Sequence, residues 1–297
     1  MVSAPDDADL RLGPLRLRIR TSSPLLRETL TRFLPEGMVP SPIPAPWGTP
    51  APLETRVFLE TFREPLRRRR TRVREGALCQ GHWRRGERSL WVLEGEGLSE
   101  ARAWLHAGSP DTAQAALRQC LRGFLPEWFL CQGGIVLHGA TLIHRHRAWV
   151  FLAQSGGGKT TLARHHGDEG CLGDDAAFLW HDAGTDRWWA VPSPLPGREP
   201  VAITAPPMPV AGLFRLRKGQ GPRGHCGQRL QTARALREVL ARARVDVHLA
   251  SVRGLLLDRA LDLVRALPVR VIRLPRDQSP WPLVDQESEE ADGSERR

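Results

Sequence analysis

Trp149-Val-Phe-Leu-Ala-Gln-Ser-Gly-Gly-Gly-Lys-Thr-Thr161 passes from an apolar strand pattern through three consecutive glycines into Lys-Thr-Thr and the start of a helix. Three glycines let a backbone curl so that successive N–H groups point inward at an anion, and the following helix adds the positive end of its dipole. The pattern is that of a phosphate-binding loop, with Ser155, Gly156, Gly157, Gly158, Lys159, Thr160 and Thr161 as the nucleotide-binding residues. Lys159 is expected along the β- and γ-phosphates of ATP and the Thr160 hydroxyl on Mg²⁺. One position departs from the common form, because Ala153 stands where the first glycine is usual. Alanine tolerates most backbone angles but not a positive φ. A plain glycine-rich turn would not need the apolar strand, the glycines, the lysine and the helical start in this order.

Downstream, Cys171-Leu-Gly-Asp-Asp-Ala-Ala-Phe-Leu-Trp180 puts two carboxylates at the head of an apolar strand. A magnesium nucleotide site needs such a pair, one to hold the metal and one to accept a proton from an attacking hydroxyl. Without the glycine loop upstream, Asp174 and Asp175 would read as a turn. Ile135–Ile143 and Ala148–Leu152 read as apolar strands around the basic turn His144-Arg-His-Arg147, a hairpin leading into the loop. The helix after the loop, Thr161–His166, is expected to end at Gly167 and Gly170.

Leu137-His-Gly-Ala140, the loop itself and Gly173-Asp-Asp175 together resemble HPr serine kinase/phosphorylase and the wider group of HPr-kinase-related proteins, whose phosphate-loop architecture is shared with phosphoenolpyruvate carboxykinase. By motif the resemblance covers Gly133–Trp180. More loosely it covers Leu213–Asp277, where a strand, helices at Ala233–Arg244 and Val252–Leu267 and the closing Pro268-Val-Arg-Val-Ile-Arg-Leu-Pro275 follow the related layout. It implies an α/β fold, a phosphate-loop domain with a mixed sheet, and ATP and Mg²⁺ as cofactors. It also implies Lys159 on the phosphates, Asp174 as general base, Asp175 and Thr160 at the metal, and His138 near the phosphoryl group. His138 can equally be a strand histidine satisfied by a backbone carbonyl. The family's Pro-Gly-Arg stretch lies nearer its C-terminus than Pro196-Gly-Arg198 does here, so no role passes to Arg198.

Towards the N-terminus, Leu10–Arg20 alternates apolar and basic residues as a half-buried strand does. Ser23–Phe33 reads as an amphipathic helix, Pro35–Pro52 as an extended loop, and Thr55–Glu60, Arg72–Ala77 and Ser89–Leu93 as short strands. Asp111–Leu130 is apolar at helical spacing, with Pro126 expected to interrupt it. The resulting organisation is a small α+β N-terminal domain over residues 1–130, the phosphate-loop domain over 131–280, and a polar, disordered tail from 281. That N-terminal part carries no motif of the HPr kinase regulatory domain, which leaves the acceptor open among a protein, a peptide and a small molecule.

Composition narrows the function further. Of 43 basic side chains only Lys159 and Lys218 are lysine, and the chain has neither Asn nor Tyr. Much of the arginine therefore reads as drift in a GC-rich coding sequence. A net charge of +10 would ordinarily suggest nucleic acid, but the charge is spread along the chain with few aromatics interleaved, and the dense run Arg67–Arg74 reads as a solvated or strand-face cluster. No specific nucleic-acid partner is expected. No apolar run approaches the ~20 residues of a spanning helix, and no signal-peptide pattern opens the chain. Five scattered cysteines without a C-x-x-C pair favour a reducing cytoplasm over a zinc or disulfide framework. Trp188, Trp189 and His165-His166 read as strand packing and a helix end. A homo-oligomer stays open, and so do two other function classes: an ATP-binding partner protein without transferase activity, and an RNA- or DNA-associated ATPase.

Overall fold

The computed structural model describes residues 7–12, 15–33, 53–62, 79–80, 89–94, 100–106, 108–166, 169–195, 197, 205–219, 224–245, 250–275 and 278–286. The loop expected at Pro35–Pro52, the strand at Arg72–Ala77, the run Arg67–Arg74 and the tail after Gln286 lie outside them. The architecture is mixed α/β, in two compact units: Met1–Gly134 with Arg244–Leu256, and Ile135–Ala243 with Leu257–Arg297.

In the first unit, β1 (Asp7–Leu12), β2 (Leu15–Thr21), α1 (Pro24–Phe33), β3 (Leu53–Phe62), β4 (Cys79–Gln80), β5 (Ser89–Glu94), β6 (Glu100–His106) and α2 (Pro110–Cys131) follow in order. The strands form one sheet ordered β1-β2-β3-β6-β5-β4. The single strand expected over Leu10–Arg20 is instead an antiparallel hairpin with Leu12 opposite Leu15. Alternation alone cannot see a reversal; Gly13-Pro14, a turn-forming pair that includes a residue without an N–H, was the signal for it. The alternation itself holds, with Leu15, Leu17 and Ile19 inside and the arginines between them outside the core.

α2 begins at a capping box, in which Thr112 N donates to Ser109 Oγ (3.3 Å) and Ser109 N to Thr112 Oγ1 (2.8 Å). It then runs unbroken through Pro126. An interior proline costs about 3 kcal/mol. Leu125, Trp128, Phe129 and Leu130 around it are buried, at about 1.5–3 kcal/mol each, and Trp128 Nε1 donates to Thr55 Oγ1 at 3.1 Å. Burial wins, and the expected interruption does not occur. Cys120 shares this core, where burial pushes its thiol up to about 12.

The second unit contains β7 (Gly134–Leu137), which begins at the last residue of the first, β8 (Gly139–His144), β9 (Arg147–Leu152), α3 (Lys159–His166), β10 (Cys171–Gly173), β11 (Ala177–Asp182), β12 (Arg187–Val191), β13 (Met208–Lys218), β14 (His225–Cys226), α4 (Thr232–Leu240), α5 (Ala250–Ala266) and β15 (Val269–Leu274), α5 starting within the returning segment. Its mixed sheet is ordered β10-β8-β9-β13-β12-β11-β7, with β15 on β13 and β14 on β15. Ile135–Ile143 is therefore two strands at separate places in the sheet, parted at His138; a continuous apolar run hides such a break. β13 runs parallel to both β9 and β15. On one face Trp149, Phe151, Phe214, Leu216, Ile272 and Leu274 pack under Leu162 and Ala163 of α3. Trp188 and Trp189 are buried in β12 as strand packing, and His165 and His166 close α3. No helix among the described residues is long and apolar enough to cross a membrane.

Residues 281–286 form a short helix rather than the start of a polar tail. Trp281 stacks on His144 (4.3 Å between centroids), and Asp285 bonds His144 Nε2 at 3.0 Å and Arg145 at 2.8 Å. The hairpin between β8 and β9 turns on Arg145 and His146, both at positive φ (51° and 59°), the two-residue geometry that favours Asn-Gly. His146 is exposed and holds a left-handed backbone that costs a non-glycine residue about 1 kcal/mol. His146→Gly should therefore raise the stability of this unit by about 0.5–1 kcal/mol, read as a higher urea midpoint. A midpoint at or below that of the parent would show the turn to be unstrained.

Candidate functional site

The sheet order delivers three backbone ends to one edge. Leu152, the end of β9, faces Gly139, the start of β8, and Thr141 of β8 faces Gly173, the end of β10. His138, the loop from Ala153 and the Asp174-Asp175 pair therefore leave adjacent strands side by side. Arg215 of β13 pairs with Leu152 at the same edge.

The loop is shaped by its glycines. Gly156 and Gly158 sit at φ +73° and +96°, and a Cβ on Gly157 would lie 2.7 Å from Ala153 Cβ and 2.9 Å from the Gln154 carbonyl. Gly157 N donates to that carbonyl at 2.9 Å, closing the turn. Ala153 is buried and lies outside the positive-φ region, so its methyl costs the loop nothing. Helical bonding starts with Leu162 N to Gly158 O (2.8 Å), so the first-turn N–H groups, those of Thr160 and Thr161 among them, have no acceptor within the helix. Ser155 and Gly156 are exposed at the rim, and Thr160 and Thr161 are half-buried in the first turn.

Lys159 is 5% exposed and folds back over its own loop. Its ammonium donates to the Ala153 carbonyl (3.0 Å), the Gln154 carbonyl (3.1 Å) and His138 Nε2 (2.9 Å). An ammonium has no acceptor, so Nε2 must accept and the ring proton of neutral His138 sits on Nδ1. Nδ1 faces Asp175 Oδ1 at 3.4 Å, longer than a hydrogen bond. Lys159, His138 and Asp175 thus form one row.

The two carboxylates differ in access. The Asp175 side chain is 41% exposed, whereas Asp174 is 1% exposed. Over Asp174 lies a residue the sequence had left without a role: a Cβ on Gly197 would collide with Asp174 Oδ1. Ser193 N ties down the chain ahead of it by donating to Leu172 O at 2.6 Å. Gly197 was visible in the sequence, but its juxtaposition with Asp174 depends on the β10 and β12 ends lying together, which no local pattern encodes. Among the described residues no three His, Cys, Asp or Glu side chains gather as a metal set. Mg²⁺ commonly takes only one or two carboxylates with substrate phosphates completing its shell, so a nucleotide-bound ion needs no such set.

Behind His138 stands an ion triad absent from the sequence reading. His138 N donates to Arg242 O at 2.7 Å, and Leu137 bridges Ala243. The buried Glu238 carboxylate bonds Arg242 at 3.0 Å and Arg215. Desolvation lowers the pKa of both arginines, and Arg217, Arg242, Arg234 and Arg237 lower that of Arg215 further.

Gly197→Ala is expected to force the Asp174 carboxylate or the covering segment to move, at about 1–3 kcal/mol, read as a lower melting temperature. An unchanged melting curve would remove Gly197 from the site. Compared with family models and with curated proteins, the chain finds no match in either.

Proposed function

We propose that the second unit is a phosphate-loop kinase domain related to HPr kinase, transferring the γ-phosphate of ATP, with Mg²⁺, to a hydroxyl of a protein, peptide or small molecule. The observation that carries this reading is the convergence of Lys159, His138, Asp174 and Asp175 at one sheet edge, around a glycine loop whose first-turn N–H groups have no acceptor within α3. An anion binder alone has no use for two carboxylates beside its lysine; a transferase needs both.

In this reading Lys159 exchanges its loop carbonyls for phosphate oxygens. Mg²⁺, when bound, neutralises charge on those oxygens. Thr160 and Asp175 hold the metal side, and Asp174 takes the acceptor proton. Its burial adds a condition: the hydroxyl must enter beside Gly197. His138 stays neutral, keeping Nε2 towards the ammonium and Nδ1–H towards Asp175.

Lys159→Ala should weaken Mg-ATP binding by on the order of 2–4 kcal/mol in calorimetric titration, since a charge-assisted contact is lost where phosphate charge is densest. Equal affinity in parent and variant would sink nucleotide binding at this loop.

Asp174→Asn should keep ATP bound but lower transfer to a labelled acceptor by about 10²–10⁴-fold. Asp175→Asn should lower nucleotide affinity in the presence of Mg²⁺. The opposite pattern would exchange the two roles. ATP bound with no acceptor labelled in a lysate by any form would replace the kinase with an ATP-binding partner protein.

A further inference from the structure

Beyond the loop, the same sheet edge continues as a row of arginines. Phe214 and Leu216 of β13 point into the core under α3, so Arg215 and Arg217, alternating with them, face the other side. Arg217 pairs directly with Arg273 of the parallel strand β15. Arg234 and Arg237, three apart on α4, act electrostatically on Arg215 together with Arg217 and Arg242. Arg217, Arg234, Arg237 and Arg242 thus act on Arg215, Arg273 lies beside Arg217, and the described carboxylate that meets this group, Glu238, is spent on Arg215 and Arg242. Arg217, Arg234, Arg237 and Arg273 are exposed and form no ion pair among the described residues. Like charges paired across strands or along one helix face repel. The fold holds this repulsion in place next to the loop, and a polyanion would relieve it.

We propose that Arg217 and Arg273 at the ends of β13 and β15, with Arg234 and Arg237 of α4, dock an acidic, carboxylate-rich segment of a peptide phosphoacceptor. The inference rests on the kinase reading for calling the peptide an acceptor; the surface itself is tested without it. The position suits an acceptor, since His138 and Lys159 flank β8 and β9 and β13 is the next strand. Strands are about 4.8 Å apart and an extended peptide advances about 3.3 Å per residue. A hydroxyl held beside His138 therefore brings residues about three to five positions away over Arg217 and Arg273. No described aromatic side chain interleaves these arginines as a stacking platform for bases would require, which favours carboxylates over nucleic acid. The surface is also bolted to the site: the Arg242 carbonyl holds His138 N while the Arg242 guanidinium holds Glu238.

The test uses the full chain and two fluorescein-labelled probes, an octaglutamate peptide and a mixed-sequence single-stranded 20-nucleotide DNA, in anisotropy titrations at low salt. The parent should bind octaglutamate. The pair Arg234→Glu with Arg237→Glu should weaken it at least tenfold, and Arg234→Gln with Arg237→Gln by a smaller factor, with Mg-ATP affinity and melting temperature unchanged in both. Octaglutamate bound equally by parent and variants, or not bound by the parent, overturns the proposal. So does DNA bound more tightly than octaglutamate and lost with the same substitutions. If the peptide result holds while the parent fails to bind Mg-ATP, the docking surface stands and the nucleotide reading falls.

Discussion

β13 lies parallel to β9 with Arg215 beside Leu152, and the pairing is locked by Phe214 stacked between Trp149 and Phe151. Everything at the candidate site depends on that register. It brings the last residue before the glycine loop level with the arginine that binds Glu238, and it aims the other face of β13 at α3. Because side chains alternate with a period of two, a slip of one residue would turn Arg215 and Arg217 into the aromatic core and Phe214 and Leu216 out of it. Burying two unpaired guanidinium groups there would cost several kcal/mol each, so the register is held by charge as well as by packing.

Charge also explains why the triad is tolerated. Glu238 is buried, and a buried carboxylate survives only when its charge is met at close range. Arg242 reaches it from the turn after α4 and Arg215 from the sheet, so one anion joins a helix to a strand and, through the Arg242 carbonyl, to His138. The backbone position of His138 is thereby set from outside its own strand. That arrangement suits a residue at a strand break, where ladder bonds cannot fix the chain.

How much of this was legible follows from how local each determinant is. The glycine loop, Lys159 and α3 could be read because glycine, lysine and helical start are contiguous. The Asp174-Asp175 pair could be read because it follows the loop closely and heads a strand. β6 was missed, since Glu100–His106 mixes small, charged and apolar residues without a clean period. Helix propensity alone breaks α2 at Pro126, because it does not contain the tertiary burial of Trp128 and Phe129. The hairpin at Leu12 and Leu15 and the break at His138 were hidden inside continuous apolar or alternating runs. Gly197 over Asp174 and the arginine cluster needed strands distant in sequence to become neighbours. Composition even argued the other way for the cluster, because arginine is so abundant in this chain that its individual positions carry little weight.

Lys159 spends its three protons on the carbonyls of Ala153 and Gln154 and on His138. The ammonium in this form is turned back onto its own loop, as if it were an internal counter-ion. An anion arriving there does not meet a bare charge; it has to compete for one. Any affinity gained through Lys159 would be the difference between two sets of hydrogen bonds, a difference that favours ligands presenting several oxygens at once over singly charged anions such as chloride. Were Lys159 drawn to such a ligand, Nε2 of His138 would lose its donor, and the neighbouring strand would register the event as a change in the hydrogen bonding of one imidazole.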